Sequence, residues 1–118
     1  MRVMIVDDSM FMRRLVRNHI TRLGHEIVAE GENGVEAVKL YHKHHPDIVF
    51  MDIVMPEMTG IQALRAIKVE DPDAKVVICS SMGHQAYVEE AIMDGAMDFI
   101  VKPFKAEHFE RILERFSN

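Results

Sequence analysis

Short apolar runs alternate with helical patterns along the whole chain. Three of the five runs show no polar alternation and most of their residues are β-branched, which is typical of strands buried on both faces. Because a stretch with helical spacing follows each run, the pattern predicts five consecutive βα units. The predicted strands are Val3–Val6, Ile27–Ala29, Ile48–Met51, Val76–Cys79 and Phe99–Val101.

Apolar residues spaced three and four positions apart mark the five predicted helices. Gly24 and Gly95 follow the first and fourth helices as stop signals, and Pro46 and Pro72 end the second and third. The fifth pattern ends at Phe116, close to the last residue, so we expect no output domain after it. The residues that mark the helices are Met12, Leu15, Val16, Ile20 and Leu23; Ala37, Val38 and Tyr41; Ile61, Leu64 and Ile67; Val88, Ala91 and Ile92; and Phe109, Ile112, Leu113 and Phe116.

This order of elements predicts an open, doubly wound α/β fold with a parallel sheet and right-handed crossovers. A chain of 118 residues is the size of one domain. It is too short for an eight-unit barrel, which needs about 200 residues. Ligands of open parallel sheets bind at the carboxyl ends of the strands, so the polar residues at those ends are the candidates for a functional site.

Composition and charge exclude several classes of function. Fourteen Lys and Arg against nineteen Asp and Glu give a net charge of −5, which argues against binding nucleic acid through bulk charge. No apolar run approaches the ~18 residues of a membrane span. Cys79 is the single cysteine, so no internal disulfide is possible, and we expect an inert buried thiol in a cytoplasmic protein.

The histidines and methionines of the chain have structural interpretations. His42, His44 and His45 straddle the end of the second helix, and we expect a solvated surface there instead of a transition-metal site. The chain contains ten methionines. We expect four of them to fill core or near-core space, namely Met10, Met12, Met51 and Met93.

Chemically distinctive side chains stand at four of the five strand ends. They are Asp7 and Asp8 after strand 1, Asp52 after strand 3, Ser80 and Ser81 after strand 4, and Lys102 after strand 5. Two carboxylates ~5 Å apart repel by ~3 kcal/mol at an effective dielectric constant near 20. Lys102 offsets part of this repulsion, and an all-oxygen site suits Mg²⁺ or Mn²⁺. A carboxylate beside a cation, an ammonium and a hydroxyl is equipped to receive a phosphoryl group.

Four segments resemble the receiver domains of two-component response regulators. They are VDDSMFMRR from Val6, DIVFMDIVMPEMTG from Asp47, VVICSSMG from Val76 and GAMDFIVKPF from Gly95. Among receivers, they are most similar to stand-alone chemotaxis receivers of the CheY type. The resemblance covers essentially the whole chain. It implies a flavodoxin-like (βα)5 fold, with five parallel strands in the order 2-1-3-4-5 and a single receiver domain over residues 1–118.

The resemblance also implies the roles of the acidic residues. Asp52 is the expected phosphoacceptor. Asp8 is expected to bind Mg²⁺ directly and Asp7 mainly through water, with Mn²⁺ as a possible substitute. The backbone carbonyl of Val54, two residues after the phosphoacceptor, is the expected third protein oxygen.

Three more residues have roles implied by the resemblance. Ser80 matches the hydroxyl that bonds the phosphoryl group, and Lys102 matches the lysine that pairs with it. Pro103 resembles the cis-proline of the family. Phe99 matches the switch aromatic, which turns inward after phosphorylation while Ser80 moves toward the phosphoryl oxygen.

The chain departs from the usual receiver pattern at several positions. Phe99 replaces a frequent Tyr, so its ring has no hydroxyl to contact a partner. Ser81 replaces a smaller residue and is expected to narrow access to the phosphate. Val54 and Met82 are apolar where other members often carry polar side chains that influence the hydrolytic water. We therefore expect slow self-dephosphorylation.

The expected function is a phosphorylation switch in chemotaxis. A histidine kinase donates the phosphoryl group, and the surface of helix 4, strand 5 and helix 5 then binds a flagellar motor switch protein or another effector. A phosphatase is a further possible partner, and a monomer is the expected state. Catalysis is limited to the protein's own phosphorylation and dephosphorylation.

Two other functions remain open on the sequence, and a third is disfavoured. One is a phosphorelay carrier that docks through helix 1 and the face around Asp52. Another is a receiver fragment of a longer regulator, including a DNA-binding one. An aspartyl-phosphate hydrolase is disfavoured, because such enzymes usually carry a second acid two residues after the nucleophile, where this chain has Val54.

Overall fold

A computed structural model describes residues 1–81 and 84–117. Five strands alternate with five helices, and the strands form one parallel sheet in the order β2-β1-β3-β4-β5, as predicted. The elements are β1 (Arg2–Val6), α1 (Met10–Arg22), β2 (Glu26–Gly31), α2 (Gly34–His44), β3 (Ile48–Asp52), α3 (Gly60–Glu70), β4 (Val76–Ser80), α4 (Gln85–Met93), β5 (Asp98–Val101) and α5 (Ala106–Phe116).

The register of the sheet aligns the carboxyl ends of the central strands. Asp52 pairs with Cys79, and Ser80 pairs with Val101. Asp52 and Ser80 are therefore the last residues of β3 and β4, one position later than the predicted strand ends. The backbones of Asp52 and Ser80 are therefore held by the pairing of the strands in the sheet.

Two hydrophobic cores cover the two faces of the sheet. One contains Ile20 of α1 and Phe109 of α5, and the other contains Tyr41 of α2 and Leu64 of α3. All residues of β3 and β4 are buried, whereas the edge strands β2 and β5 are partly exposed. This burial on both faces explains the unbroken apolar runs of the central strands.

Caps define the ends of the helices that lead away from the site. Ser9 is the N-cap of α1, since its hydroxyl accepts a hydrogen bond from the amide of Met12. Gly24, at φ +86°, follows α1 as predicted. Helix α2 ends at His44, and His45 adopts the left-handed conformation at φ 43°. The helix ends there because Pro46 disfavours the helical conformation of the residue before it.

Helix α4 is weakly anchored to the sheet. Ala91 is its one buried residue, and its N-cap makes no side-chain hydrogen bond. Arg65 of α3 ties the end of α4 down, donating to Glu90 at 2.7 Å and to Asp94 at 2.8 Å. Ile92, one of the apolar residues that mark this helix in the sequence, is exposed, because the helix contacts the core at Val88 and Ala91.

The expectation that four methionines fill the core was correct in part. Met51 is fully buried and Met12 is partly buried against the core. Met10 and Met93 are 63% and 88% exposed, because they lie at helix ends on the outer face. No helix within residues 1–81 and 84–117 combines the length and the apolar character needed to cross a bilayer.

Candidate functional site

The three predicted acidic residues lie together at the carboxyl edge of the sheet. Each of Asp7, Asp8 and Asp52 offers a carboxylate oxygen, and these oxygens lie within 4.8 Å of one another. Asp7 and Asp52 are buried, whereas Asp8 is exposed. The cluster is therefore reached from solvent on the side of Asp8.

Lys102 joins two of these carboxylates from the end of β5. Its ammonium donates to Oδ2 of Asp52 at 3.2 Å and to Oδ2 of Asp7 at 3.3 Å. The backbone amide of Lys102 donates to the carbonyl of Ser80 at 2.7 Å, which fixes the residue against the end of β4. The peptide bond between Lys102 and Pro103 is cis.

Burial and charge shift the pKa values of this pair. Burial raises the pKa of Asp52, and Asp7 adds to the rise, although the nearby ammonium of Lys102 partly opposes it. Burial also opposes the charged form of Lys102, but the attraction of Asp52 and Asp7 prevails and raises its pKa. Asp52 is therefore harder to ionise than an exposed carboxyl, whereas Lys102 is held in its charged form.

The backbone around Asp7 and Asp52 is tightly fixed. Oδ1 of Asp7 accepts from the amide of Ser9 at 2.9 Å. Gly60 begins α3 so close to β3 that an added Cβ would lie 2.1 Å from the carbonyl oxygen of Asp52. Gly60 was not predicted as a site residue, because its place directly before a helical pattern gives no signal of this contact.

Arg13 is a second residue that the sequence analysis missed. It is buried, and its guanidinium donates to the carbonyl of Asp7 at 2.6 Å. A signal was available, because Arg13 precedes Val16 and Ile20 by three and seven positions and so continues the buried stripe of α1. A charged residue on such a stripe indicates a specific polar contact in the interior.

The two predicted switch residues border one apolar cavity between α4 and β5. The cavity has a volume of about 810 Å³, and Ser80, Val88, Ile92 and Phe99 contribute to its walls. The hydroxyl of Ser80 is buried and donates to the carbonyl of Ser81 at 3.0 Å. The side chain of Phe99 is 43% exposed. In this conformation, Phe99 lies at the surface and borders the cavity without filling it.

The residues expected to influence phosphate loss lie at the rim of the site. Val54 follows β3, and its side chain is 53% exposed. Ser81 is also exposed, directly after β4. Met82, for which a similar influence was expected, lies outside the described residues.

His42, His44 and His45 lie at the end of α2 and do not form a group with metal-ligand spacing. His42 pairs with Glu70, and the rings of His42 and His45 are 6.2 Å apart. Within residues 1–81 and 84–117, the acidic cluster is the only group of His, Cys, Asp or Glu side chains with metal-binding spacing. Cys79 is buried as expected, and its burial raises the pKa of the thiol.

Comparison with known proteins identifies the family. The sequence profile of the response regulator receiver domain matches residues 3–114. The chain belongs to the response regulator receiver family. It is 52% identical over 115 residues to the chemotaxis protein CheY of Listeria monocytogenes, covering 98% of this chain and 97% of that protein. It is also 52% identical to chemotaxis protein CheY of Bacillus subtilis, over 96% of this chain and 92% of that protein.

Solved receiver structures share the fold of this receiver. The crystal structure of the CheX-CheY-BeF3-Mg complex from Borrelia burgdorferi contains a chain with a TM-score of 0.91 and 36% identity, covering 98% of this chain and 88% of that chain. The response regulator domain of Thermotoga maritima CheB has a TM-score of 0.86 and 34% identity, covering 99% of this chain and 93% of that one. The predicted family and flavodoxin-like fold are thus confirmed. Like other receivers, this one is a signalling protein and not a conventional enzyme.

Proposed function

We propose that this receiver accepts a phosphoryl group from a histidine kinase on Asp52 and signals through altered protein binding in chemotaxis. The observation that carries the proposal is the contact of Lys102 with both Asp52 and Asp7 at the open carboxyl edge of the sheet. The 52% identity to chemotaxis CheY proteins over nearly the whole chain supports the pathway.

Asp52 is the proposed nucleophile. A carboxylate oxygen attacks the phosphorus of the phosphohistidine, the P–N bond breaks, and the imidazole leaves with the bonding electrons. Lys102, already paired with Asp52, compensates charge on the transferred oxygens. Ser80 donates its hydroxyl to a phosphoryl oxygen after it turns away from the carbonyl of Ser81.

A divalent cation fits the donor set of the site. The fit rests on three carboxylates whose oxygens lie within 4.8 Å of one another and on a single ammonium, that of Lys102, which contacts two of them. Asp8 would bind Mg²⁺ directly and Asp7 mainly through water, with Asp52 and the carbonyl of Val54 as further ligands. Mn²⁺ can substitute, since it accepts the same oxygen donors. Bound Mg²⁺ supplies positive charge that stabilises the phosphoryl oxygens.

The conformational switch uses the cavity between α4 and β5. When Ser80 moves toward the phosphoryl group, Phe99 is proposed to turn from the surface into the space beside it. The 810 Å³ volume of the cavity and the exposure of Phe99 support this movement. The surface formed by α4, β5 and α5 then changes shape, and a partner shifts the population only by its preference for one shape.

The proposed partner at this surface is a flagellar motor switch protein. Apolar side chains exposed on α4 and β5, including Tyr87, Met93 and Val101, offer contact area for it. A phosphatase is a further proposed partner, because CheX is bound to CheY in the related Borrelia burgdorferi complex. We also propose that residues 1–118 form a single receiver domain, which acts as a cytoplasmic monomer and catalyses only its own phosphorylation and dephosphorylation.

A phosphorelay carrier is the second candidate. Met10 and Phe11, the first residues of α1, are exposed beside the acidic cluster. An apolar contact there suits a protein that exchanges phosphoryl groups with Asp52. In this function the main docking surface would be α1, and the surface of α4, β5 and α5 would be secondary.

Peptide binding with and without activation distinguishes these functions. A labelled peptide from the N-terminus of a flagellar switch protein is titrated with the receiver, alone and with Mg²⁺ and beryllofluoride. Asp52→Asn is the control that cannot be activated. Fluorescence of the label is followed because the protein contains no tryptophan.

Binding that tightens on activation, but not in Asp52→Asn, supports the chemotaxis messenger. Activation that leaves peptide binding unchanged would contradict the motor partner and favour the relay. Failure of beryllofluoride to alter the amide NMR spectrum of the wild-type protein would contradict the receiver chemistry itself.

A further inference from the structure

Arg13 connects the first turn of α1 with the ends of β1 and β2. The residue is only 7% exposed. Its Nη1 donates to the carbonyl oxygen of Asp7 at 2.6 Å. On its other edge, Nε lies 3.5 Å from Oε1 of Glu30, and Nη2 donates to Oε1 of Glu32 at 3.4 Å. The buried charge is thus paired with two carboxylates while the guanidinium holds the Asp7 backbone.

The carboxylates of Asp7 and Asp8 are held in the acidic cluster in different ways. The carboxylate of Asp7 accepts from the amide of Ser9 and from Lys102. In residues 1–81 and 84–117, by contrast, no hydrogen bond reaches the carboxylate of Asp8. The position of Asp8 therefore depends on its backbone, and Arg13 holds the carbonyl of the peptide group that joins Asp7 to Asp8.

The chemistry of the arginine side chain suits this contact. Its N–H donors lie in one rigid plane, so it can donate to the Asp7 carbonyl from one side while facing Glu30 and Glu32 from the other. A lysine ammonium is compact and cannot span these three acceptors in the same arrangement. The orientation of the Asp7–Asp8 peptide group is therefore tied to the guanidinium geometry and not merely to a positive charge.

We propose that Arg13 is a positioning residue for the divalent-cation site, acting through the Asp7–Asp8 peptide group on the carboxylate of Asp8. The inference rests on the metal site of the proposed function. Groups that orient metal ligands from outside typically change metal affinity by about 10- to 100-fold when they are removed. Mg²⁺ demands near-ideal octahedral geometry, whereas Ca²⁺ tolerates flexible coordination. Loss of Arg13 is therefore expected to weaken Mg²⁺ binding more than Ca²⁺ binding.

Metal titrations followed by amide NMR test this role in the full chain. MgCl2 and CaCl2 are titrated into the wild-type protein, Arg13→Met, Arg13→Lys and Arg17→Met. Arg17 is the matched control, because it lies on the same helix and pairs with the same Glu30 but makes no contact with Asp7. A second control, Ile20→Val, loosens the packing of α1 without changing a charge.

Mg²⁺ affinity is expected to fall about tenfold or more in both Arg13 variants, with a smaller loss for Ca²⁺. The ratio of Mg²⁺ to Ca²⁺ affinity should stay at the wild-type value in Arg17→Met and Ile20→Val. Wild-type Mg²⁺ affinity in the Arg13 variants, or an equal change of the ratio in Ile20→Val, would overturn the positioning role. If Arg13→Met does not fold, the ratio measured for Arg13→Lys decides.

The failure of this inference and that of the proposed function are distinguishable. If the wild-type protein binds Mg²⁺ and the Arg13 variants retain its affinity ratio, the positioning role is wrong and the proposed metal site stands. If the wild-type protein binds no Mg²⁺ at Asp8, the metal site itself is wrong, and the role of Arg13 is overturned with it.

Discussion

The Nζ atom of Lys102 lies 3.2 Å from Oδ2 of Asp52, although the two residues are 50 positions apart in the chain. The contact exists because parallel strands deliver their carboxyl ends to the same edge of the sheet. Three carboxylates lie at this edge, and the ammonium of Lys102 contacts two of them, Asp7 and Asp52. This arrangement makes the stability of the metal-free protein sensitive to the charge of Asp52.

Asp52→Asn is expected to raise the midpoint of thermal unfolding of the metal-free protein at neutral pH. The substitution removes a carboxylate whose ionisation is disfavoured by burial and by Asp7, as its raised pKa indicates. Lys102 keeps its contact with Asp7. Thermal unfolding in excess chelator measures the effect.

Magnesium is expected to reduce this difference in stability. A tenfold excess of Mg²⁺ over its dissociation constant adds about 1.4 kcal/mol to the wild-type protein and less to Asp52→Asn. Asp47→Asn, an exposed acid on the opposite edge of the sheet, serves as the control and should respond to Mg²⁺ like the wild type. A larger gain from Mg²⁺ in Asp52→Asn than in the wild type would contradict the role of Asp52 as a ligand.

Gly60→Ala is expected to destabilise the fold by about 3 kcal/mol and to abolish phosphorylation. The new Cβ would lie 2.1 Å from the carbonyl oxygen of Asp52 and 2.8 Å from Cα of Ile53. Both are backbone atoms, so no side-chain rotation relieves the overlap. Urea unfolding and labelling with acetyl phosphate measure the two effects.

Gly24→Ala provides the matched control for this substitution. Gly24 has φ +86° and no neighbouring atom within 4 Å of an added Cβ. Its replacement should therefore cost only the left-handed strain of about 1 to 2 kcal/mol and leave phosphorylation intact. An equal loss of stability in both variants would show that the contact with Asp52 is unimportant.

Val54→Asn is expected to accelerate loss of the phosphoryl group by about tenfold. This is less than the ~10²–10⁴-fold acceleration that a fully oriented general base provides. The exposed valine lies at the rim of the site and cannot orient a water molecule through a hydrogen bond. The backbone carbonyl of this residue is retained in the variant. Decay of the phosphorylated protein after removal of acetyl phosphate gives the rate.

Val69→Asn is the surface control for this rate. Val69 is exposed near the end of α3, far from the acidic cluster along the chain, and carries no proposed role. Fast decay of the wild-type protein, combined with no response to Val54→Asn, would disprove the expected slow self-dephosphorylation.

His19 lies half-buried between α1 and α5, and it is expected to make the stability of the protein depend on pH. Burial lowers the pKa of His19 from its usual 6.5, and Arg22 lowers it further. Its ring stacks on Phe109, and Nδ1 has no hydrogen-bond partner within the described part of the chain. The unfolded chain therefore takes up a proton more readily than the folded protein just below pH 6.5.

The contribution of His19 to stability is full above pH 6.5 and is lost as the pH falls through the window between 6.5 and its lowered pKa. His19→Phe keeps a stacking ring and should flatten the slope of unfolding midpoint against pH. Part of the slope should remain, because burial also lowers the pKa of His25. An imidazole NMR titration that gives His19 a pKa above 6.5 would contradict this account. His44→Gln serves as the control for the melting curves.

The sequence pattern predicts the order of elements and most of the acidic site for a physical reason. Buried parallel strands must be continuously apolar, so a polar residue directly after such a strand marks its carboxyl end. Asp7, Asp8, Asp52 and Lys102 were found in this way, and the structure brings them together. Their roles in phosphoryl transfer remain predictions.

Features that depend on the path of a loop or on how far a helix contacts the sheet were not predicted. The closeness of Gly60 to the Asp52 carbonyl follows from the path of the loop before α3, which spacing along the chain does not determine. The exposure of Met10, Met93 and Ile92 depends on how much of each helix the sheet covers. Apolar periodicity indicates which face a helix turns inward, but not how far the contact extends along it.

The single buried residue of α4 also has a consequence for sequence divergence. A substitution at Ala91, or at Val88, which packs partly buried against the same core, would disturb the packing on the sheet, whereas the exposed positions of the helix are less constrained. The ion pairs of Arg65 require only acidic side chains at the positions of Glu90 and Asp94, at the end of the helix. Duplicated copies of such a gene could therefore acquire different partners through changes in one helix while they inherit the same sheet and the same acidic cluster.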